Sequence, residues 1–530
     1  MGNAQRELSQ AQQALASFKQ AIKLEANDAD FYNNLGNVQR ELGQLDLAIA
    51  SYEKALQINP DLHHALVHLV HQKQHICDWR GLNAQIETIR YLVKNVPQAQ
   101  VSPFAFLAMP NTSAAEQRIC ASNYVAQNYT KLGEISHAVV TPTQVCVQRL
   151  KTVDSDPVSG YGASFNRNDD VGGSKIKLGY LSADFRLHPL AFLITELIES
   201  HDRSQFEVFA YSYGVDDKTP TRKRLERAFD HFIDIRNLSE IDAAKKINAD
   251  QIDILIDLTG FTQSSRTGIV ALKPAPISIN WLGYPGTMGE MAEEPLFTYL
   301  LADKVVAPNQ ADFSEKLLYL PCYQPNNQRE VGKATQKSTH NLGENFVFCC
   351  FNQSFKITPD VFAVWMRLLA KTSNSVLWLL ECNTWAKANL QREAEASGIA
   401  EERLVFAPRT STEAHLERHR HADLFLDTLP YNAHTTASDA LYMGLPVLTC
   451  MGESFPARVA ASLLQAIDLK ELIFENLSKY EEKALFLATN PQELMRIKQK
   501  VMAQKERSAL FKPQTFSCNL EALLLKLMIK

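Results

Sequence analysis

The chain has 530 residues, is 45% hydrophobic and 21% charged, and carries a formal net charge of −5. This is the composition of an ordinary globular protein with room for about three or four domains. No basic block marks a nucleic-acid partner, and no apolar stretch reaches about 18 residues, so neither nucleic acid nor a membrane is expected as a partner. Nine scattered cysteines without a CxxC pair suggest neither a disulfide framework nor a zinc site, and they fit a cytoplasmic location.

The N-terminus repeats itself. Gly2-Asn3-Ala4-Gln5-Arg6-Glu7-Leu8 returns as Gly36-Asn37-Val38-Gln39-Arg40-Glu41-Leu42, and Ala16-Ser17-Phe18 returns as Ala50-Ser51-Tyr52. A period of about 34 residues is the tetratricopeptide (TPR) signature, in which paired helices bury an apolar face only against a stacked neighbour. The first unit lacks its front half, so the sequence begins inside a repeat. Repeats are assigned to 1–75. A helical linker region covers 76–172 and ends in a flexible Asp/Ser/Gly/Asn-rich stretch at 152–175.

Beyond 175 the texture changes to short apolar runs separated by amphipathic stretches. Strands are expected at 176–183, 206–214, 252–260, 277–282, 346–351, 375–380, 403–407, 422–427 and 446–450. This alternation argues for two parallel α/β sheets. The first domain covers 173–340 and the second 341–505, with a C-terminal helix at 506–530. Ligands in such sheets sit beyond the carboxyl ends of strands, which directs attention to the residues there.

Six strand ends carry polar groups or tight turns. After 422–427, a Pro/Asn loop leads to a helix opening at His434-Thr435-Thr436, with Asp439 one turn further. Helix-start amides and hydroxyls suit a phosphate, and a carboxylate suits ribose hydroxyls, although the same residues also suit a simple cap. After 346–351 come Gln353 and Lys356. A lysine there could neutralise a leaving diphosphate, or be a solvated loop residue. After 403–407 come Arg409, Thr410, Ser411 and His415, a loop able to offer backbone groups to a base, or a capping box of Thr410 with Glu413. After 176–183, His188 stands before a proline at the edge of the next helix. After 252–260 and 277–282, Gly260 and Gly283-Tyr284-Pro285-Gly286 mark tight turns. The first-strand turn, Ala183-Asp184-Phe185-Arg186, lacks the glycines of a dinucleotide fingerprint, which argues against an oxidoreductase.

Taken together and in order, these strings resemble the O-linked N-acetylglucosamine transferase and SPINDLY-like family, glycosyltransferase family 41, from the repeats to about residue 505. The resemblance rests on Gly179 to Phe185 with His188-Pro189, Leu272 to Pro276, Trp281 to Thr287, Phe351-Asn352-Gln353, Ser375 to Leu380, His434-Thr435-Thr436 and Arg458 to Ser462. It implies an α-helical TPR array followed by a GT-B catalytic region of two Rossmann-like domains. It also implies inverting, metal-independent transfer of N-acetylglucosamine from UDP-GlcNAc to Ser or Thr of acceptor proteins, with no cofactor.

In that resemblance Gln353 and Lys356 contact the diphosphate. Arg409, Thr410, Ser411 and His415 surround the base, His434, Thr435 and Thr436 hold phosphate, and Asp439 meets the ribose. His188 is the active-site histidine and a candidate base, which Asp250 or Asp253 could assist. The repeats would hold the acceptor protein. No metal is expected, because Asp28-Ala29-Asp30 and Asp154-Ser155-Asp156 both lie outside the α/β region. Three departures stand out: Thr412 where animal members carry lysine, Phe261 where many bacterial members carry histidine, and a very short repeat array. UDP-glucose or GDP-fucose as donor, or an inactive TPR adaptor, are the alternatives.

Overall fold

A computed structural model of the chain describes residues 10–139 and 175–528. The opening string Gly2 to Leu8, most of the linker expected over 152–175, and Asp154-Ser155-Asp156 lie outside the described residues.

The repeat region forms helices at Ala11–Leu24, Ala29–Glu41, Leu45–Ile58 and His63–His75. Their apolar faces are covered by one another: Ala14 and Phe18 pack with Leu35 and Val38, and Ala48 and Tyr52 pack with Leu69. Position 36 must be small, since a Cβ there would come within 2.6 Å of the Tyr52 ring. Tyr52 in turn donates its hydroxyl to Asn37 Oδ1 at 3.0 Å. Asp28 caps the second helix by accepting from the Phe31 N–H at 3.1 Å, an ordinary N-cap role. Further helices follow at Leu82–Asn95, Pro103–Leu107 and Ala114–Val139. Among the described residues, no helix is long and apolar enough to cross a membrane.

The first sheet contains β1 (Ile176–Ser182), β2 (Phe206–Ser212), β3 (His231–Asp234), β4 (Ile254–Asp257), β5 (Ile277–Asn280), β8 (Tyr299–Ala302) and β9 (Lys316–Tyr319), with a small antiparallel hairpin of β6 (Glu290–Met291) and β7 (Glu294–Pro295) beside it in sequence. Its order is β3-β2-β1-β4-β5-β8-β9, with every pair parallel. The second sheet contains β10 (Phe346–Cys350), β11 (Ser375–Leu380), β12 (Leu404–Ala407), β13 (Leu424–Leu426), β14 (Val447–Cys450) and β15 (Ile473–Phe474), again all parallel, in the order β12-β11-β10-β13-β14-β15. Central strands such as β4, β13 and β14 are buried along their whole length, as in sheets covered on both faces.

The chain packs as two compact units. One holds the helical repeats up to Gln127 together with Val305–Asp312 and Arg329–Ser508, and so contains the second sheet. The other holds Asn128–Lys304, Phe313–Gln328 and Ala509–Lys530, and so contains the first sheet. The C-terminal helix Pro513–Met528 therefore belongs with the first sheet. Its Glu521 accepts from the Asp202 N–H and pairs with His201 Nδ1, both at 2.8 Å, and Phe516 stacks on Trp281 at 6.0 Å. The segment Arg329–His340 belongs with the second sheet.

Candidate functional site

In each sheet the strand order reverses once, between β10 and β13 in one and between β1 and β4 in the other. A reversal opens a crevice at the carboxyl ends of the two central strands, where α/β sheets bind ligands.

At the β10/β13 reversal, the chain leaving β10 turns through Asn352 and Gln353 into a 3-10 turn, Ser354–Lys356, before the helix Pro359–Lys371. The chain leaving β13 runs through a cis Leu429–Pro430 bond into the helix Thr435–Tyr442. Asp427 organises this loop. One carboxylate oxygen accepts from the N–H groups of Thr428 at 2.7 Å and Ala433 at 2.6 Å, and the other accepts from the Thr449 hydroxyl at 2.7 Å. Asn352 ties the two chains together: its amide donates to the Thr428 hydroxyl at 2.8 Å, and its carbonyl accepts from the Thr436 hydroxyl.

Lys356 points into this arrangement. Its ammonium donates to the Asn432 carbonyl at 2.8 Å and lies 4.1 Å from the centre of the Tyr431 ring. Burial lowers its pKa to about 8, with Asp427 and Cys350 pulling the other way. His434 stacks on Tyr431 at 4.8 Å and its Nε2 lies 3.3 Å from the Pro456 carbonyl; burial and then Lys356 keep the ring neutral. Thr435 and Thr436 begin a helix, where backbone N–H groups have no intrahelical acceptor. A cation, a helix start and a neutral imidazole thus gather at one strand reversal, an arrangement whose chemistry suits an anion.

The repeat region backs this arrangement within the same unit. Ser354 donates its hydroxyl to the His75 carbonyl at 2.6 Å, and the Asn383 and Asn389 amides donate to the carbonyls of His75 and Ile76 at 3.0 and 2.7 Å. The Phe355 ring packs on His75 at 5.0 Å and on Tyr431 at 5.9 Å. The helix His63–His75 therefore supports the residues on either side of the Lys356 ammonium.

The remaining expected residues on this sheet lie close by. Arg409 donates to Gln353 Oε1 at 3.3 Å, and both are accessible. Thr410 precedes the helix Thr412–Arg418, whose N-cap is Ser411, accepting weakly from the Ala414 N–H at 3.4 Å; the expected Thr410–Glu413 capping box does not form. His415 is held neutral by burial, its Nε2 3.9 Å from Asp439. Asp439 differs from expectation. It is 7% exposed and paired with the buried guanidinium of Arg329, a loop residue that no sequence motif marks. A ribose would have to compete with that guanidinium.

At the β1/β4 reversal of the other unit, the turn after β1 carries Asp184 and His188. The Leu190 N–H donates to His188 Nδ1 at 3.3 Å, and Asp184 Oδ2 lies 3.6 Å from the same nitrogen. Burial lowers the His188 pKa, with Asp184 opposing, so the ring is neutral at pH 7. After β4, Asp257 accepts from the Thr259 N–H at 2.8 Å, and the Thr259 hydroxyl accepts from the Ala183 N–H at 3.2 Å. Gly283 must lack a side chain, because a Cβ there would collide with the Leu258 carbonyl. Phe261 is buried edge-on to Tyr284 at 5.3 Å.

Asp250 and Asp253 do not belong to this group. Asp250 ends the helix Glu240–Ala249, accepts from the Tyr211 hydroxyl at 2.8 Å and pairs with Lys246. Asp253 accepts from the Lys177 N–H at 2.9 Å, at the start of β1. Both lie at the amino ends of the strands, opposite the end that carries His188. Their place before β4 is already the end opposite to where such sheets bind ligands. Asp250→Asn is expected to leave turnover within about twofold of the parent, as surface changes away from a site usually do; a larger loss in a steady-state transfer assay would return Asp250 to the chemistry.

The chain is similar to known proteins. The family described as Glycosyl transferase family 41 matches residues 136–324 and 324–520, and tetratricopeptide repeats match 2–40 and 29–62. The probable UDP-N-acetylglucosamine–peptide N-acetylglucosaminyltransferase SEC of Arabidopsis thaliana is 31% identical over 465 residues, covering 86% of this chain and 46% of that protein. A UDP-N-acetylglucosamine–peptide N-acetylglucosaminyltransferase of Caenorhabditis elegans is 27% identical over 575 residues, covering 85% and 48%. The chain thus spans about half the length of these curated relatives. A solved O-GlcNAc transferase mutant from Thermobaculum terrenum superposes with a TM-score of 0.78 at 22% identity, covering 100% of this chain and 96% of that one, which establishes the shared fold. With TPR helices leading into two parallel α/β sheets and a family match over most of its length, the chain belongs to glycosyl transferase family 41.

Proposed function

We propose that this protein transfers N-acetylglucosamine from UDP-GlcNAc to serine or threonine hydroxyls of acceptor proteins, with inversion and without a metal ion. The observation that carries the reading is the convergence of Lys356, Tyr431, His434 and the Thr435–Thr436 helix start at one strand reversal. In the reaction, the acceptor oxygen forms a bond to the sugar C1 as the bond from C1 to the β-phosphate oxygen breaks. The electron pair leaves with UDP, and the acceptor proton goes to a base. Lys356 and the helix start supply positive potential to the departing diphosphate, the part a metal plays in other transferases. Gln353 contacts the diphosphate, and Arg409, Thr410, Ser411 and His415 surround the uracil. Asp439 meets the ribose only if it leaves Arg329. The repeats present the acceptor.

His188 is the proposed base. Nδ1 accepts from the Leu190 N–H, so acting as a base through Nε2 requires the ring to give up that contact and carry its proton on Nδ1, facing Asp184 at 3.6 Å. His188→Ala is expected to lower turnover about a hundredfold with little change in UDP affinity; near-normal turnover removes it from the role.

The donor reading is tested by titrating the protein with UDP, UDP-GlcNAc and GDP. UDP and UDP-GlcNAc should bind and GDP should not. Preference for GDP would move the reading to a fucosyl donor, and binding of no nucleotide would point to an inactive TPR adaptor. The pH dependence is a further check. The Lys356 amine is charged below its pKa of about 8 and loses its proton as pH rises through it. UDP affinity should therefore fall above pH 8, by up to about tenfold per pH unit, and Lys356→Arg should flatten the decline. A flat wild-type profile from pH 7 to 9 would contradict the assigned contact.

A further inference from the structure

At the far end of the helix Thr412–Arg418 from Ser411, a second polar cluster gathers within the unit that contains the second sheet. Glu417 is 2% exposed, and its side chain faces His421 one turn on and His340 from the 3-10 turn Lys337–His340. The ligand atoms of His340, Glu417 and His421 all lie within 4.8 Å of one another. His421 Nε2 and Glu417 Oε1 are 3.4 Å apart, the edge length of a tetrahedron with metal–ligand bonds of about 2.1 Å. A fourth polar atom completes the group. The Thr335 hydroxyl donates to Glu417 Oε2 at 2.6 Å and lies 2.8 Å from His421 Nε2 and 3.3 Å from His340 Nε2. The Thr335 N–H donates to Glu417 Oε1 at 2.8 Å. Two imidazole nitrogens, a buried carboxylate and a hydroxyl thus stand within reach of one another. The rings are held in place, His340 packing on Trp378 at 5.0 Å and on His421 at 5.1 Å.

We propose that His340, Glu417 and His421 form a binding site for a divalent transition-metal ion of the zinc class, with the Thr335 hydroxyl or a water as fourth ligand. Two nitrogens and one oxygen favour Zn2+, Co2+ or Ni2+ over Mg2+ or Ca2+, which prefer all-oxygen shells. Glu417 lies in the last turn of the helix and His421 in the 3-10 turn His419–His421 that follows it, which brings the two side chains together. The ion would fasten the segment 335–340 to the helix whose other end carries the loop 409–411. This role is structural and separate from the transfer chemistry at Lys356, so it stands whether or not that chemistry is as proposed.

The test is a Co2+ titration of the metal-stripped full-length chain, followed by visible absorption and checked by Zn2+ displacement. One Co2+ per chain with tetrahedral ligand-field bands is expected. His340→Ala and His421→Ala should each weaken binding at least about tenfold. His71→Ala, which alters the unrelated His71–His75 pair, should leave stoichiometry unchanged. Circular dichroism establishes that each variant is folded, and His340→Gln, at the most accessible ligand, is the substitute for any that is not. Absence of Co2+ uptake at micromolar concentrations, or uptake unaltered in folded His340 and His421 variants, would overturn the site.

Discussion

Lys356→Ala is expected to weaken UDP binding at least tenfold and to lower transfer turnover by about 10²–10³-fold. The argument is electrostatic. The ammonium sits where burial already works against its charge, holding its pKa to about 8, and it is kept in place by the Asn432 carbonyl and the Tyr431 ring. An anion entering this place meets a cation that is poorly solvated and needs no reorganisation to respond. As the bond to the sugar breaks, negative charge grows on the diphosphate, so the lysine stabilises the transition state more than the ground state. The loss should therefore be larger in turnover than in UDP-GlcNAc affinity. The fold should survive, since the residues around Lys356 are tied to one another through Asn352, Asp427 and Thr436 rather than through the amine. Isothermal titration with UDP and single-turnover transfer from UDP-GlcNAc separate the two effects. Turnover within tenfold of the parent would remove Lys356 from the leaving-group role.

Much of the architecture was legible because local rules and tertiary context agree. The 34-residue period needs small residues at fixed places, and Gly36 beneath Tyr52 shows why. Strands β1, β2, β4, β5 and β10–β14 fall on the expected apolar runs. Those without such a signal are β3, β9 and β15, whose residues are partly exposed, together with the four-residue β8 and the β6–β7 hairpin. Lys356, His434 and Thr436 could be picked out as candidates because each lies in the first loop or helix start after a buried strand. Arg329 could not, because its partner Asp439 is distant in sequence and nothing local marks a buried arginine in a loop. Asp250 and Asp253 precede β4, at the amino end of the strand, and the carboxyl-end rule already argued against them; their partners Tyr211 and Lys177 are distant in the chain and show only in the fold. Asp427 was noted as the end of a strand, but its neighbours give no hint that its carboxylate binds the amides of Thr428 and Ala433 together.

That carboxylate supports the second large effect. Asp427→Ala is expected to destabilise the protein by about 3–5 kcal/mol, because it strands several buried donors at once. The N–H groups of Thr428 and Ala433 and the Thr449 hydroxyl would lose their acceptor in a place that water does not reach, and the Lys356 ammonium would lose its counter-charge. Burial pushes the Asp427 pKa up to about 6, so the group is ionised at neutral pH despite its surroundings. A shift of the urea midpoint with unchanged slope reads the loss of stability; an unchanged midpoint would show that the loop holds its shape without the carboxylate. Asp427→Asn separates structure from charge. It retains a carbonyl acceptor, so its stability cost should be smaller. It also removes the negative charge that opposes the desolvation of Lys356, so the lysine pKa should fall further below 8. The decline of UDP affinity with rising pH should then begin at lower pH in Asp427→Asn than in the parent. If the asparagine variant instead keeps the parent's pH profile, Asp427 holds the loop in place without tuning the cation.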